Sequence, residues 1–296
     1  MKGKSWATYI VLLFCVIAWG SNFVFGSILV QHFDPSIIAF MRLIFILLFL
    51  FGVTYSHVKK SKVSVKSFIL LAVAGFIGVS LNQWSFYASL EYTDPITAAL
   101  ILALSPIVTA LLSTYYFKER RRWPFWLGAI IGLSGVWLVI TQGSWFVPLI
   151  GKGELLIGVT MLTFSVFLLF VQQLSKTLHP AVITWYSNVF GFIGLVPFVP
   201  WKTLPSVVNV NWEYWILLIL TAIIMHGICT YLWNSSIQKV GAASAVLLLN
   251  LEPFVAMIVS FLVLKHMVSS PQILGGFVII IGIALSLNSK VRSSSY

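Results

Sequence analysis

The chain has 296 residues, of which 59% are hydrophobic and only 8% charged, and it carries a net charge of +11. So little charge cannot cover the surface of a soluble globule of this size, so the composition excludes a water-soluble domain and makes the chain an integral membrane protein. The positive balance does not point to nucleic acid, because the cations gather in the loops on one side of the membrane, where topology and anionic lipid account for them.

Ten apolar runs are each long enough to cross a bilayer core of about 30 Å. They lie at roughly 8–30, 35–57, 67–90, 95–117, 123–141, 152–175, 180–200, 213–237, 242–263 and 269–289. The first lacks a small-residue cleavage site and continues for a full span, so it reads as a retained helix. No stretch between the runs could form a soluble domain. With the amino terminus inside, the inner loops hold Lys2, Lys4, Lys59, Lys60, Lys62, Lys66, Lys118, Arg120, Arg121, Arg122, Lys176, Lys239, Lys290 and Arg292. The outer loops hold only Lys152, Lys202 and Lys265. This asymmetry predicts a multi-pass protein of the plasma membrane with both termini in the cytoplasm.

The second half of the chain repeats the first. Pro106 aligns with Pro253, Lys118 with Lys265, Leu127-Gly128 with Leu274-Gly275 and Gly135 with Gly282, all at an offset of 147 residues. Asp34-Pro35 aligns with His179-Pro180 at a slightly shorter offset. The predicted units are residues 1–146 and 147–296, with five spans each. An odd number of crossings turns the second copy upside down, so the expected fold is an all-α membrane protein of ten transmembrane helices in two inverted five-helix repeats.

Along the spans, Cys15 and Cys229 stand in no metal or redox spacing and read as small packing residues. The deep ionisable groups are Arg42, His226 and Glu252. A charged group at a helix centre costs roughly 2.5–3.5 kcal/mol, so each is expected to face the interior and find a partner. Glu252 and His226 fall near the midplane and Arg42 about 5 Å above them, at about 1.5 Å of rise per residue. Glu252 reads either as a proton or substrate-amine site or as a structural lock with Arg42. Arg42 reads as a carboxylate clamp, as the counter-charge of Glu252, or as a side chain snorkelling to headgroups. His226 is a relay or a packing histidine. The amides Asn22, Asn82, Gln83, Asn188, Asn234 and Asn250 either glue helices or face a cavity. Asn250 and Glu252, two residues apart, point to nearly opposite sides of an ideal helix. His226, Thr230 and Trp233 share a face of the eighth span, Trp19 and Asn22 one of the first, and Gln83 and Tyr87 one of the third. Such stripes suit a compact amphipathic metabolite or, as the alternative, a helical core. Trp6, Trp123, Trp126, Trp145, Trp201, Trp212 and Trp215 lie near span ends as interface belts. Gly128, Gly132, Gly275 and Gly282 permit close helix approach, expected to pack each peripheral helix on its own repeat or to form a dimer contact.

Trp19-Gly20-Ser21-Asn22-Phe23, Arg42, the stretch from Pro95 through Pro106 to Phe117-Lys118-Glu119-Arg120, and Leu251-Glu252-Pro253 resemble the EamA-type repeats of the drug/metabolite transporter superfamily. The resemblance spans essentially the whole chain. It implies transport of small metabolites such as amino acids, often outward. It also implies that spans 3, 4, 8 and 9 bracket a cavity, that spans 1, 2, 6 and 7 rock, and that spans 5 and 10 pack at the side. One departure is visible: the first half ends its fourth span in Glu119, where the second has His266. The chain is thus expected to be a transporter of a small molecule, embedded in the lipid bilayer as a monomer or homodimer, with protons as a possible coupling ion and no cofactor. A lipid-linked metabolite flippase is the alternative. An intramembrane enzyme is disfavoured, because the sequence contains no His-Glu-x-x-His, paired intramembrane aspartates or Ser/His couple.

Overall fold

A computed structural model of the chain describes residues 3–116, 122–144, 150–202, 204–240 and 248–287. It contains the ten expected helices: α1 (Gly3–Leu29), α2 (Pro35–Lys60), α3 (Val65–Leu90), α4 (Pro95–Tyr116), α5 (Trp123–Thr141), α6 (Lys152–Leu174), α7 (Pro180–Phe198), α8 (Trp212–Trp233, helical on to Val240), α9 (Glu252–Leu264) and α10 (Ser270–Leu287). Eight have the length and apolarity of a membrane span, and α9 and α10 are shorter apolar helices. The helix starts are chemically marked. Asp34, Asp94 and His179 each accept a hydrogen bond from the first turn of α2, α4 and α7, and each is followed by a proline, whose missing N–H costs nothing there.

Two helices break at equivalent places. In α4 the helix is interrupted by a turn at Ala103-Leu104 before Ser105-Pro106, and in the second repeat by a turn at Asn250-Leu251 before Glu252-Pro253. Proline removes the donor that would close the preceding turn and collides with the carbonyl four residues back. π-helical segments also recur at related positions, Phe76–Leu81 in α3 and Thr221–Ile228 in α8. These backbone irregularities are tolerated at such depth because other helices enclose them.

The principal helix contacts run between the repeats, and they are unchanged when each helix is exchanged for its counterpart. α1 packs on α8 and α9, as α6 packs on α3 and α4; α2 packs on α8, as α7 packs on α3. The pairs α2–α7, α4–α9 and α5–α10 meet their own counterparts. The two repeats therefore interleave and share one core, which runs from Phe23 and Leu43 through Tyr87 and Ile96 to Met257 and Ile283.

The glycines of α5 and α10 behave differently from expectation. A Cβ at Gly282 would lie 2.6 Å from the Gly128 carbonyl oxygen, and one at Gly135 would lie 2.8 Å from that of Gly275. Only Gly132 abuts its own repeat, through Leu104 and Ile107. The glycine stripes thus join α5 to α10 across the repeats, with Ser286 Oγ donating to the Phe125 carbonyl at 3.1 Å. Two stripes at equivalent positions are complementary to each other in an antiparallel pair, which is why they meet.

Overpacking a tight seam costs about 1–3 kcal/mol or more, so Gly282→Val is expected to lower the melting temperature of the purified protein in detergent. Gly52, with nothing within 4 Å of a built Cβ, is the control: Gly52→Ala is expected to leave it unchanged or raise it, through up to about 1 kcal/mol of helix propensity.

Candidate functional site

Polar side chains from α1, α2, α3 and α8 converge in the interior. Arg42, on α2, is only 2% exposed. Its Nη1 donates to Thr221 Oγ1 at the start of the π segment of α8. That hydroxyl gives its own proton to the Leu218 carbonyl at 3.0 Å, which leaves its oxygen free to accept. The guanidinium carbon stands 5.4 Å from the centroid of the Tyr87 ring, within cation–π reach. The Nε–H has no hydrogen-bond partner. Tyr87 is fully buried with its hydroxyl beside the Asn22 side chain of α1, with which it interacts, although neither that hydroxyl nor Asn22 Oδ1 reaches full hydrogen-bond geometry with any partner. His226, one turn beyond Thr221, lies in the field of Arg42.

α1 runs through the middle of this assembly. Trp19 Nε1 donates to the Met225 carbonyl of α8 at 2.5 Å, and the Trp19 ring lies 5.0 Å from that of Trp233. Phe23 meets Phe86 of α3 edge-on at 5.3 Å. On the side facing α9, a Cβ at Gly20 would lie 2.8 Å from the Glu252 carbonyl oxygen and 2.6 Å from Val255 Cβ. Only glycine admits this approach. The equivalent seam of the other repeat is polar: Ser165 Oγ of α6 lies 3.4 Å from the Ser105 carbonyl, while its proton has a closer acceptor in the Met161 carbonyl of its own helix at 2.8 Å. In both repeats a small residue thus touches the carbonyl that precedes the helix-breaking proline.

Above the cluster, on the face bearing the α1–α2 and α3–α4 turns, a cavity of about 550 Å³ is lined by Ser27 and Gln31 of α1, Leu90 and Glu91 of α3, Pro95 of α4 and Leu264 of α9. Leu90, which lines it, packs with Tyr87 on Gly26 of α1, at 2.7 and 3.3 Å from a Cβ built there. Gln83, Tyr87 and Glu91 follow at four-residue spacing, so one stripe of α3 leads from the cavity to the cluster. The Glu91 carboxyl is held above the ordinary carboxylate range, chiefly by burial and next by Asp34, with Lys152 and Tyr92 opposing. Lys152 donates to the Tyr92 hydroxyl at 2.7 Å and Thr93 to Glu154 at 2.8 Å, tying the α3–α4 turn to α6. At the opposite face Tyr116 OH donates to Gln173 Oε1 at 2.8 Å, closing α4 against α6. The corresponding ends of α9 and α1 flank the open cavity.

This arrangement of helices matches known proteins. The model of the EamA-like transporter family matches residues 6–141 and again residues 151–288. The chain belongs to the EamA-like transporter family. This EamA-like chain is 29% identical over 299 residues to the uncharacterized transporter YyaM of Bacillus subtilis, covering 97% of the chain and 95% of that protein. It is 22% identical over 306 residues to the uncharacterized transporter YetK of the same organism, covering 99% and 90%. An uncharacterized transporter of Archaeoglobus fulgidus is 22% identical over 281 residues, covering 94% and 96%. A crystal structure with 17% sequence identity superposes with a TM-score of 0.66 over 95% of the chain and 96% of its own, which shows the same fold. The protein is accordingly a membrane-embedded member of a transporter family.

Within this EamA-like fold several sequence expectations need correction. Arg42 does not snorkel; it is enclosed by α2, α3 and α8. It forms no ion pair with Glu252, and among the described residues no carboxylate stands within ion-pairing distance of it. Glu252 is half-buried and has no hydrogen-bond partner among the described residues. The opposite-sides argument for Asn250 fails because Asn250 lies in the turn before the break, where ideal helix angles do not hold; it is buried. On α8 the buried stripe is Ala222, Met225, Cys229 and Trp233. Trp233 belongs to that stripe, while His226 and Thr230 lie half-buried beside it.

The amides divide by role. Asn82 glues α3 to α6, donating to the Thr160 carbonyl at 2.9 Å and to Thr163 Oγ1 at 3.1 Å. Asn188 donates to Thr184 in its own helix, with Oδ1 unpartnered. Gln83 is buried on the stripe leading to the cavity. The side chain of Asn234, along with Glu119 and Trp145, lies outside the described residues. Cys15 and Cys229 meet across the α1–α8 seam, Cys15 Sγ lying 3.5 Å from the Cys229 carbonyl. Among the described residues no three His, Cys, Asp or Glu side chains cluster as metal ligands. Thr221 and the Met225 carbonyl had no signal in the sequence, because a threonine in an apolar run and a backbone carbonyl look ordinary until the π segment presents them.

Trp19→Phe keeps the aromatic packing and removes only the donor to Met225, so it is expected to cost about 1 kcal/mol. Gly20→Ala forces α1 off α9 and is expected to cost more, about 1–3 kcal/mol. Melting of the two variants beside the parent protein checks the ranking; a smaller loss for Gly20→Ala would contradict the close approach.

Proposed function

We propose that the protein is a secondary transporter that exports a small metabolite, an amino acid or a related compound, across the plasma membrane by alternating access, with both termini in the cytoplasm. The observation that carries this reading is the exchange symmetry of the helix contacts. Two inverted copies packed through equivalent seams have a second arrangement of similar energy, in which each copy adopts the conformation of the other. A cavity open at one face, with α4 and α6 bonded at the opposite one, is one member of such a pair. The cation asymmetry makes the open face the outer one.

The interior supports a compact amphipathic solute, because Trp19, Phe23, Phe86 and Trp233 supply apolar surface around a few polar groups. Glu252 is the residue we assign to proton coupling. Among the described residues it is the one carboxyl beside a helix-breaking proline at an interior turn, and it lacks a salt-bridge partner there. A monomer suffices, since the glycine seam that could have served a dimer is filled by α5 and α10 of one chain. The flippase reading would call for cations at a lateral opening, and the enclosure of Arg42 gives it no support.

Reconstituted into liposomes, the protein is expected to exchange at least one radiolabelled amino acid or related metabolite against an internal pool, with a rate that varies with pH. Glu252→Gln is expected to retain exchange and lose its pH dependence. No exchange of any solute in such a panel would count against transport, and an unchanged pH profile in Glu252→Gln would remove Glu252 from coupling.

A further inference from the structure

Among the described residues the buried guanidinium has no counter-ion. Arg42 is 2% exposed, its one side-chain hydrogen bond goes to a neutral hydroxyl, and its Nε–H is unpartnered. A fully enclosed cation with no anion is among the least favourable arrangements in a protein interior, and more so in a membrane. Glu252, the acid the sequence set against it, does not pair with it. Two more buried polar atoms, the Tyr87 hydroxyl and Asn22 Oδ1, lie beside it without full hydrogen-bond geometry to any partner. Thr221 holds Nη1 from one side, which fixes the plane of the guanidinium and leaves its Nε edge for another acceptor.

From this arrangement we infer that Arg42 and Tyr87 form the seat of an anionic group on the transported solute, and that the group is a carboxylate. The inference rests on the transporter reading and names the chemistry of its substrate. The edge of a guanidinium presents two parallel N–H donors that match the two oxygens of a carboxylate, and the Tyr87 O–H adds a third donor. Asn22 offers its amide oxygen to a donor elsewhere on the same solute. Among the described residues Arg42 is the one buried cation, and a single fixed charge balances one negative charge, which favours a carboxylate over a phosphate dianion. Tyr87, and Glu91 just past the end of α3, lie on one stripe running from this seat toward the open cavity, and Leu90 of the cavity lining packs on Gly26 between the two. In this state the seat is sealed from the cavity, so occupying it requires α1 and α3 to part at Gly26.

The probes are benzoate, its neutral isostere benzamide and the cation benzylammonium, each added at equal ionic strength to the purified full chain in detergent. Benzoate is expected to raise the melting temperature by at least about 2 °C, through preferential binding to the folded state, and the other two to leave it unchanged. Arg42→Gln is expected to abolish the benzoate shift while melting no lower than the parent protein without ligand, since it removes an uncompensated charge. Tyr87→Phe, which keeps the ring, is expected to weaken benzoate about tenfold; it decides the matter if Arg42→Gln does not fold. An equal shift with benzamide, or a full benzoate shift in the folded Arg42→Gln variant or in Tyr87→Phe, would overturn the seat. Arg42-dependent benzoate binding without any solute flux in liposomes upholds the seat and counts against transport. Flux confined to neutral or cationic solutes and indifferent to Arg42→Gln does the reverse.

Discussion

The structure depends on the contact between small residues and the backbone where a helix is broken. Gly20 presses on the carbonyl of Glu252, and in the inverted seam Ser165 Oγ lies against the carbonyl of Ser105. The proline one position later leaves the carbonyl four residues back without its backbone donor, and in α4 that carbonyl, of Leu102, accepts from Ser105 Oγ within the helix. Each break is covered by a helix of the other repeat, α1 on α9 and α6 on α4, which shields the irregular backbone from lipid. The same coverage interleaves the two repeats.

Interleaving has a second consequence, for the polar groups. Because α1 lies between α8, α9 and α3, its Trp19-Gly20-Ser21-Asn22-Phe23 run supplies a different residue to each neighbour: Trp19 to Met225 and Trp233, Gly20 to Glu252, Phe23 to Phe86. The seams are equivalent in backbone and unequal in chemistry. Where the first repeat has Arg42, the second has Ser187, fully buried with its hydroxyl unpartnered; where the second has Glu252, the first has Ser105. On the proposed reading, the symmetric frame exchanges conformations and the asymmetric set of side chains gives the solute one preferred place within it.

The fold was largely legible in the sequence. Apolar runs, prolines at helix starts and the offset repeat lead to ten helices in two copies, because hydrophobic length and capping are local properties. Relations between helices were less so. The glycines of α5 and α10 were expected on their own repeats, because spacing along one helix shows that a face is smooth without showing what lies against it. The candidate site was half legible: Arg42, Tyr87, Asn22 and Trp19 stand together, but the Arg42–Glu252 pair does not form. Of the stripe His226, Thr230 and Trp233, Trp233 faces the buried side with Met225 and Cys229, while His226 and Thr230 lie one position round the helix, half-buried. Depth could be inferred from residue number; azimuth across an irregular backbone could not.

The central claim, that the two repeats exchange conformations around a common interior, is tested most directly by distances at both faces of the same molecule. Spin labels at Gln31 and Leu264 report the open cavity, and labels at Tyr116 and Gln173 report the closed end. Pulsed electron resonance in lipid nanodiscs is expected to show two populations in each pair, with conditions that shorten the first distance lengthening the second. Distances that stay single and fixed in both pairs, while the same labelled proteins still exchange solute in liposomes, would contradict the account.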